Sequence, residues 1–223
     1  MPSFPFSASP SNWKNGSADM PLVKPSAMSR PTATEPADRA AVLAALDGSD
    51  PGARRTAARA CRAFPDSIAI IAGRLAVETD PRVLEVLVLN LVAVGGPAAA
   101  AALAPLLRSD DAGRRFAAAE ALKDLGSDAL PFFDVLIRDP DPQVRILAAE
   151  IARGHAGGAA AQTLERLLAE ETEVNVCCAF VDVLTEIGTA DTPPALRALK
   201  ARMPDNAFLT FSVEAALAQL PPD

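Results

Sequence analysis

A helix-start signal recurs six times along this chain at nearly constant spacing, and this repeat constrains the fold more than any other feature. Each copy begins with an acidic or amide residue, often followed by Pro, and continues with aliphatic and small residues. The copies begin 30 to 33 residues apart, at Asp50, Asp80, Asp111, Asp141, Glu173 and Asn206. Such a period predicts stacked copies of one small unit, because a single unit cannot bury its apolar face alone.

Each copy predicts the first residues of a helix. The side chain of the first residue can accept hydrogen bonds from free amides of the first turn, and Pro is tolerated directly after it. A helix breaker follows each copy, at Pro65, Gly95, Gly126, Gly154, Gly188 and Pro221. The intervals leave room for one further helix per unit, over approximately residues 37–46, 65–78, 97–108, 128–138, 158–170 and 192–202.

The sequence therefore predicts an all-α fold for residues 37–223, a right-handed α–α superhelix (solenoid) of about six helical hairpins. The composition agrees with this prediction, because 47 of the 223 residues are Ala and only 4% are aromatic. Small side chains let neighbouring helices approach closely, whereas a β-sandwich would favour β-branched and aromatic residues.

Residues 1–36 differ from the rest of the chain, with seven Pro, seven Ser and no apolar periodicity. Such a segment cannot bury enough apolar surface to offset its conformational entropy, so we predict a disordered N-terminal tail. Three interpretations of the tail remain open: a docking motif formed by Phe4, Phe6 and Trp13, a linker without function, or a translation start at Met20 or Met28.

The segment Asp141–Ala152, with the sequence DPQVRILAAEIA, resembles the second helix of a HEAT repeat, and Arg114–Leu122 resembles it equally well. The period is similar to that of the short HEAT-like repeats first named from phycobilisome lyases, and the resemblance covers residues 37–220. It implies a scaffold fold and is weak for function. In proteins of this class, the capping Asp and the Arg four residues later form a ladder between neighbouring repeats. The Arg position of the ladder is held here by Arg54, Arg115 and Arg145, and in the other repeats by Leu84, Cys177 and Thr210.

The residues show no catalytic, cofactor-binding or metal-binding constellation. Deoxyhypusine hydroxylases with similar repeats need several His–Glu pairs for iron, and this chain has a single His. DNA glycosylases of HEAT-like fold need a basic groove, whereas the tail carries +1 and the repeat region −8 of the net charge of −7. We therefore expect a protein that is not an enzyme, holds no cofactor and does not bind nucleic acid.

The single His and the three Cys are predicted to be structural. His155 aligns with Phe64, Val94, Leu125, Ile187 and Leu220 of the other repeats, which places a satisfied, partly buried His at the end of a helix. A pH-sensing role is its alternative. Scattered Cys and the lack of a secretory signal or a membrane-spanning stretch predict a cytoplasmic protein without membrane contact. A redox or metal role for the adjacent Cys177 and Cys178 is the alternative there.

Solenoids expose one face of their second helices as a binding surface. On each second helix, three positions spaced i, i+4 and i+7 should point towards that surface. We predict a partner-binding groove that is basic at its N-terminal end and then acidic, with Phe116 and Ile146 as apolar anchors; a solvated face is the alternative. The candidate residues are Arg55, Arg59, Arg62, Glu85, Phe116, Glu120, Ile146, Glu150, Arg153 and Phe211.

The predicted function is a non-enzymatic scaffold or adaptor that binds another protein. The family resemblance implies a regulatory place in bacterial signalling of the two-component or chemotaxis type. The alternative is a lyase-like or assembly-factor subunit that acts on a protein partner. Neither the identity of the partner nor the oligomeric state follows from the sequence.

Overall fold

The computed structural model describes residues 38–155 and 158–220. The tail predicted for residues 1–36 lies outside the described residues, so its disorder and its boundary remain predictions. All regular structure in the described residues is helical, with 3-10 turns at Ala104–Arg108 and Gly126–Ala129. The α-helices are α1 (Arg39–Leu46), α2 (Pro51–Cys61), α3 (Ser67–Leu75), α4 (Pro81–Val94), α5 (Gly96–Leu103), α6 (Ala112–Leu125), α7 (Leu130–Leu136), α8 (Pro142–Ala152), α9 (Ala159–Leu168), α10 (Val174–Ile187), α11 (Thr192–Arg202) and α12 (Ala207–Gln219).

The helices form six consecutive hairpins, which confirms the predicted all-α solenoid. Each odd-numbered helix pairs with the even-numbered helix that follows it along the chain. The even-numbered helices pack on one another in the order α2, α4, α6, α8, α10 and α12 and so form a continuous layer. Odd-numbered helices contribute a second layer, in which α5 contacts α3 and α7, and α11 contacts α9.

The six predicted helix starts are the residues that cap the even-numbered helices. Asp50 accepts hydrogen bonds from the amides of Gly52 and Ala53 at 3.1 and 3.0 Å, and α4, α6, α8 and α12 have the same kind of cap. Glu173 is the exception, since its side chain makes no capping bond among the described residues. Glu is not among the preferred capping residues, which have shorter side chains.

The core lies between the two layers and is built from aliphatic residues and Ala. Leu87, Leu122 and Leu164 are fully buried, as are Ala58, Ala118 and Ala148. An Ala at a contact between helices lets the two backbones approach closely, because its side chain ends at Cβ. This explains why a repeat with so many Ala residues still forms a close-packed interior.

The arginine ladder exists, but the prediction that its acidic partner is the capping Asp is wrong. Arg54 donates from Nε and Nη2 to the carboxylate of Glu78, at 2.9 and 3.0 Å, and from Nη1 to the carbonyl oxygens of Gly48 and Ser49. Arg145 pairs with Glu171 in the same way, at 2.8 and 3.0 Å.

The acidic partner stands two residues before the cap of the next repeat because the capping carboxylate itself is occupied. Asp80 accepts bonds from amides of its own helix, whereas Glu78, two residues earlier, points to Arg54. In the third repeat, the corresponding Asp139 pairs with Arg108. Arg115 donates only to backbone carbonyl oxygens among the described residues.

Candidate protein-binding site

An open groove runs between α4 and α6 on the layer of even-numbered helices. Its volume is about 390 Å³, and most of its lining is apolar. The apolar lining comes from Leu84, Val88, Leu89 and Val92 of α4 and from Ala117 and Ala121 of α6. Leu89 is 57% exposed, which is unusual for a Leu in the middle of a packed helix.

The groove exists because α6 carries small side chains where it faces α4. Gly113, Ala117 and Ala121 follow one another at intervals of four residues, so they share one face of the helix. The equivalent positions of α8 hold Gln143, Leu147 and Ile151, and the Leu and the Ile are buried. In α8 the larger Leu147 and Ile151 fill this register, whereas in α6 the small side chains leave it open.

The rim of the groove is acidic. Four exposed carboxylates line it: Glu85, Asp111, Glu120 and Asp124. Arg114 also lines the groove, but its guanidinium donates to the carbonyl oxygens of Leu75 and Glu78. Glu120 forms an exposed ion pair with Lys123 at 2.6 Å, a contact that adds little stability in water.

A basic surface adjoins this groove on the other side of α4. Arg55 and Arg59 of α2 and Arg82 of α4 line two cavities between these helices. Glu85 and Leu89 line both the groove and one of these cavities, so the basic surface and the groove are continuous across α4.

A second groove, of about 430 Å³, lies between α10 and α12. Cys178 and Asp182 line it from α10, and Phe208 and Phe211 line it from α12. The two Phe side chains are 65% and 69% exposed. The structure thus places the predicted Phe211 beside an open surface, together with Phe208.

The structure does not assemble all predicted residues into one continuous groove. Phe116 is 63% exposed and is not part of the lining of either groove, and Arg62 lies outside the lining of the basic cavities. Ile146 is half-buried and packs against the core. Phe116 and Ile146 thus do not line the groove between α4 and α6, which opens towards the face of α6 that carries Gly113, Ala117 and Ala121. A binding role for Phe116 or Ile146 stays a prediction.

Glu150 and Arg153 belong to an ion-pair cluster between α8 and α10. Arg153 contacts Glu150 at 2.8 Å and Asp182 at 2.6 Å, and it also pairs with Glu186. These contacts tie the guanidinium to neighbouring helices. The predicted binding role of Glu150 and Arg153 thus competes with a structural role in joining repeats four and five.

Sequence analysis missed much of the apolar groove lining, namely Leu84, Val88, Ala117 and Ala121, and it also missed Arg82 of the basic cavities. The one related feature of the sequence is the run of small residues Gly113, Ala117 and Ala121 at intervals of four, which leaves one face of α6 without large side chains. The offsets that we used for the binding surface reach the groove lining at Glu85 of α4 and Glu120 of α6 but not at Phe116.

His155 is buried at the end of a helix as its alignment predicts, but no partner among the described residues hydrogen-bonds to its ring. It is 8% exposed, and its ring packs edge-on against Phe133 with 5.7 Å between the ring centroids. Within the described residues, neither ring nitrogen has a hydrogen-bond partner. Burial lowers the pKa of His155, which favours the neutral imidazole. A pH-sensing role stays a prediction.

The three thiols are free, and two of them are buried. Burial raises the pKa of Cys177 to about 11, so its thiol remains protonated near neutral pH. No group of three or more His, Cys, Asp or Glu side chains that could hold a metal ion occurs among residues 38–155 and 158–220. None of the helices in these ranges is long and apolar enough to cross a bilayer.

The fold and the grooves define an α-solenoid with an open surface, and comparison with known proteins matches its first three hairpins to a repeat family. The family model of HEAT repeats matches residues 39–123, the segment that contains α1 to α6. This confirms the resemblance to HEAT repeats found in the sequence. HEAT repeats typically mediate protein interactions. Comparison with curated proteins gives no match.

Two solved structures are similar over most of the chain. An engineered protein is 18% identical, with 80% of this chain and 94% of that chain covered and a TM-score of 0.40. The complex of CpcE and CpcF of phycocyanin lyase from Nostoc sp. PCC7120 is 16% identical, with 95% and 100% covered and a TM-score of 0.35. At these TM-scores, neither likeness carries an argument about function.

Proposed function

We propose that this chain is a non-enzymatic interaction scaffold that holds a segment of a partner protein in the groove between α4 and α6. The observation that carries the proposal is the open apolar surface between α4 and α6, where α6 has Ala117 and Ala121. At the equivalent positions of α8, Leu147 and Ile151 fill the space. Protein interfaces concentrate their binding energy in apolar pockets of this kind, surrounded by polar groups that exclude water. The acidic rim and the arginines of α2 supply that polar surround.

The chemistry of the described residues supports binding rather than catalysis. His155 and Cys177, the groups best suited to proton transfer or nucleophilic attack, are buried, and neither is part of the groove lining. The groove itself offers carboxylates and aliphatic side chains. These carboxylates stand on the exposed rim of the groove. The place in bacterial signalling and the cytoplasmic location stay predictions.

A substitution that fills the groove tests the proposal. In Ala117→Trp, the indole would occupy the space between α4 and α6; Ala101→Trp is the matched control, since Ala101 is exposed on α5, outside the groove lining. The full chain and both variants are used for affinity capture from the native cell, with quantitative mass spectrometry. We expect a protein that is captured by the wild type and by Ala101→Trp and is lost with Ala117→Trp. Equal capture by all three chains would contradict the proposal, provided that circular dichroism shows equal helix content.

The same experiment tests the alternative predicted from the sequence, a lyase-like or assembly-factor subunit. Such a protein changes its partner covalently or loads it with a group, whereas a scaffold leaves the mass of the partner unchanged. The intact mass of the captured protein, with and without this chain in the cell, distinguishes the two functions.

A further inference from the structure

The charges on the two sides of α4 have opposite sign. We infer that the partner segment is charge-polarised: it has acidic residues at one end, an apolar side chain in its middle and basic residues at the other end. This inference rests on the proposed function and adds the chemistry of the partner.

The basic side recognises the acidic end of the segment. Arg55 and Arg59 of α2 make no hydrogen bond or ion pair within the part of the chain that the structure describes. The side chain of Arg82 is 71% exposed and lies 3.5 Å from the carboxylate of Asp80. By contrast, Arg54, Arg74 and Arg145 are bound by carboxylates. Unpaired guanidinium groups on a chain with a net charge of −7 favour an anionic partner, and each can bind a carboxylate in a bidentate way.

The apolar middle of the segment lies over Leu89 and enters the groove. Leu89 and Glu85 border both the basic cavity and the groove, so a segment can pass from one to the other without crossing a gap. Beyond Leu89, the lining is formed by Val88 and Val92 of α4 and by Ala117 of α6. An aliphatic or aromatic side chain of the partner that binds there removes apolar surface of both molecules from water.

The far side of the groove recognises the basic end of the segment. Asp111, Glu120 and Asp124 of the third repeat line it and are exposed. Arg114 is the one positive group among the lining residues, and it is held against backbone carbonyl oxygens. A lysine or arginine here meets carboxylates, whereas an acidic residue meets like charge. Complementary charges of this kind set the orientation of a bound segment and suppress wrong partners.

The spacing of the helices sets the length of the partner segment. Packed helices are about 8–10 Å apart, so the path from α2 over α4 to α6 is about 20 Å long. That length corresponds to about six residues of extended chain, at 3.3 Å per residue, or about 13 residues of α-helix, at 1.5 Å per residue. The acidic and basic ends are therefore separated by roughly this span.

Labelled synthetic peptides test the inference. All peptides have the same length and the same central leucines. One has glutamates at one end and lysines at the other, a second has the same composition with both charges mixed at each end, a third has lysines at both ends and a fourth has glutamates at both ends. Fluorescence anisotropy with the full chain gives the affinities. We expect the polarised peptide to bind about tenfold more tightly than its mixed isomer, because only the polarised order matches both sides of α4.

Charge-reversed variants give the sharper readout. With Arg55→Glu/Arg59→Glu, the preference should move to the peptide with lysines at both ends. With Glu120→Lys/Asp124→Lys, it should move to the peptide with glutamates at both ends. The matched control is Asp134→Lys/Arg138→Glu, at exposed positions outside the lining of the groove and the basic cavities, and it should leave the affinities unchanged.

Equal affinity of the polarised and mixed peptides, or charge-reversed variants that leave the preferences unchanged, would overturn the inference. If Ala117→Trp then weakens the binding of all four peptides alike, the groove binds apolar segments without regard to their charge. In that case the proposed function stands and the charge polarity is wrong. Absence of binding by every peptide overturns the inference as well, and the capture experiment then decides on the proposed function by itself.

Discussion

At the scale of single residues, Glu78 is a buried carboxylate that ties the first repeat to the second. It accepts hydrogen bonds from the guanidinium groups of Arg54 and Arg74 and from the amides of Thr79 and Asp80. Its side chain is fully buried, and that of Arg54 is 9% exposed. The buried charges of Glu78 and Arg54 stabilise the fold only as a pair, because removal of either one leaves the other buried without a counter-charge.

Burial and hydrogen bonding shift the pKa of Glu78 in opposite directions. Burial acts to raise it, but the hydrogen bonds from Arg54, the Asp80 amide and Arg74 outweigh burial and lower the pKa to about 2. Since this value lies below the ordinary 4.5, the ionised form favours the folded state. The contribution of Glu78 to stability is present above pH 4.5 and is lost as the pH falls from 4.5 towards 2.

We expect Glu78→Gln to lower the free energy of unfolding by about 3 kcal/mol at pH 7, because it leaves Arg54 buried without a counter-charge. Glu85→Gln is the matched control, since Glu85 is exposed, and it should change stability little. Urea unfolding followed by circular dichroism measures both. The difference between Glu78→Gln and the wild type should narrow as the pH falls below 4.5. If Glu78→Gln were as stable as Glu85→Gln, the ion pair between Glu78 and Arg54 would contribute nothing to the stability of the fold.

At the scale of helices and turns, the ends of α6 and α8 approach each other through glycines. Gly126 ends α6 with φ +52°, a conformation that favours Gly, and a Cβ there would lie 3.2 Å from the carbonyl oxygen of Gly154. A Cβ at Gly154 would overlap the carbonyl oxygen of Lys123 and would lie 2.9 Å from its carbonyl carbon. The turns after α6 and α8 therefore help to set how closely repeats three and four stack.

Two Gly→Ala substitutions are expected to have opposite effects. Gly154→Ala should destabilise the protein by about 1–3 kcal/mol, because backbone must move to admit the methyl group. Gly73→Ala should stabilise it by about 0.5–1 kcal/mol, since Gly73 lies in α3 with no heavy atom within 4 Å of its Cβ position. Thermal and urea unfolding of both variants measure the two changes. If Gly154→Ala were neutral, the two turns would not be in close contact.

At the scale of the whole molecule, the protein is a stack in which each hairpin contacts mainly its neighbours. The even-numbered helices make their main contacts with one another in chain order, and α11 and α12 contact α9 and α10. Stability in such an array is approximately a sum of the stability of each repeat and of each contact between neighbours. Loss of one end should thus weaken the array without unfolding the rest of it.

Deletion of the last hairpin tests this view. A chain that ends at residue 190 lacks α11 and α12 and leaves the faces of α9 and α10 that pack against them exposed. We expect the remaining helices to keep their circular dichroism signal, with a lower urea midpoint and stronger binding of a hydrophobic dye. Complete loss of the helical signal would show that the chain folds as one cooperative unit in which every repeat is needed.

The sequence by itself determined the number of helical hairpins and the starts of the even-numbered helices. Asp50, Asp80, Asp111, Asp141 and Asn206 cap helices as predicted, and Gly95, Gly126 and Gly188 end them. These signals are local, because a cap bonds to amides two or three residues away and a glycine ends a helix through its own backbone. Six repeats of such signals leave few alternatives for the fold.

Only the tertiary structure decided which side chains meet between repeats. Glu78 rather than a capping Asp binds Arg54, and the open groove lies at Ala117 and Ala121 rather than at Phe116. Both results depend on the rotation and spacing of neighbouring helices. A shift of one residue on a helix turns a side chain by about 100°. The periodicity along the chain therefore shows which face of a helix is buried, but it does not show which side chains of two repeats meet. The partner of a side chain in another repeat follows from packing, which local sequence patterns do not encode.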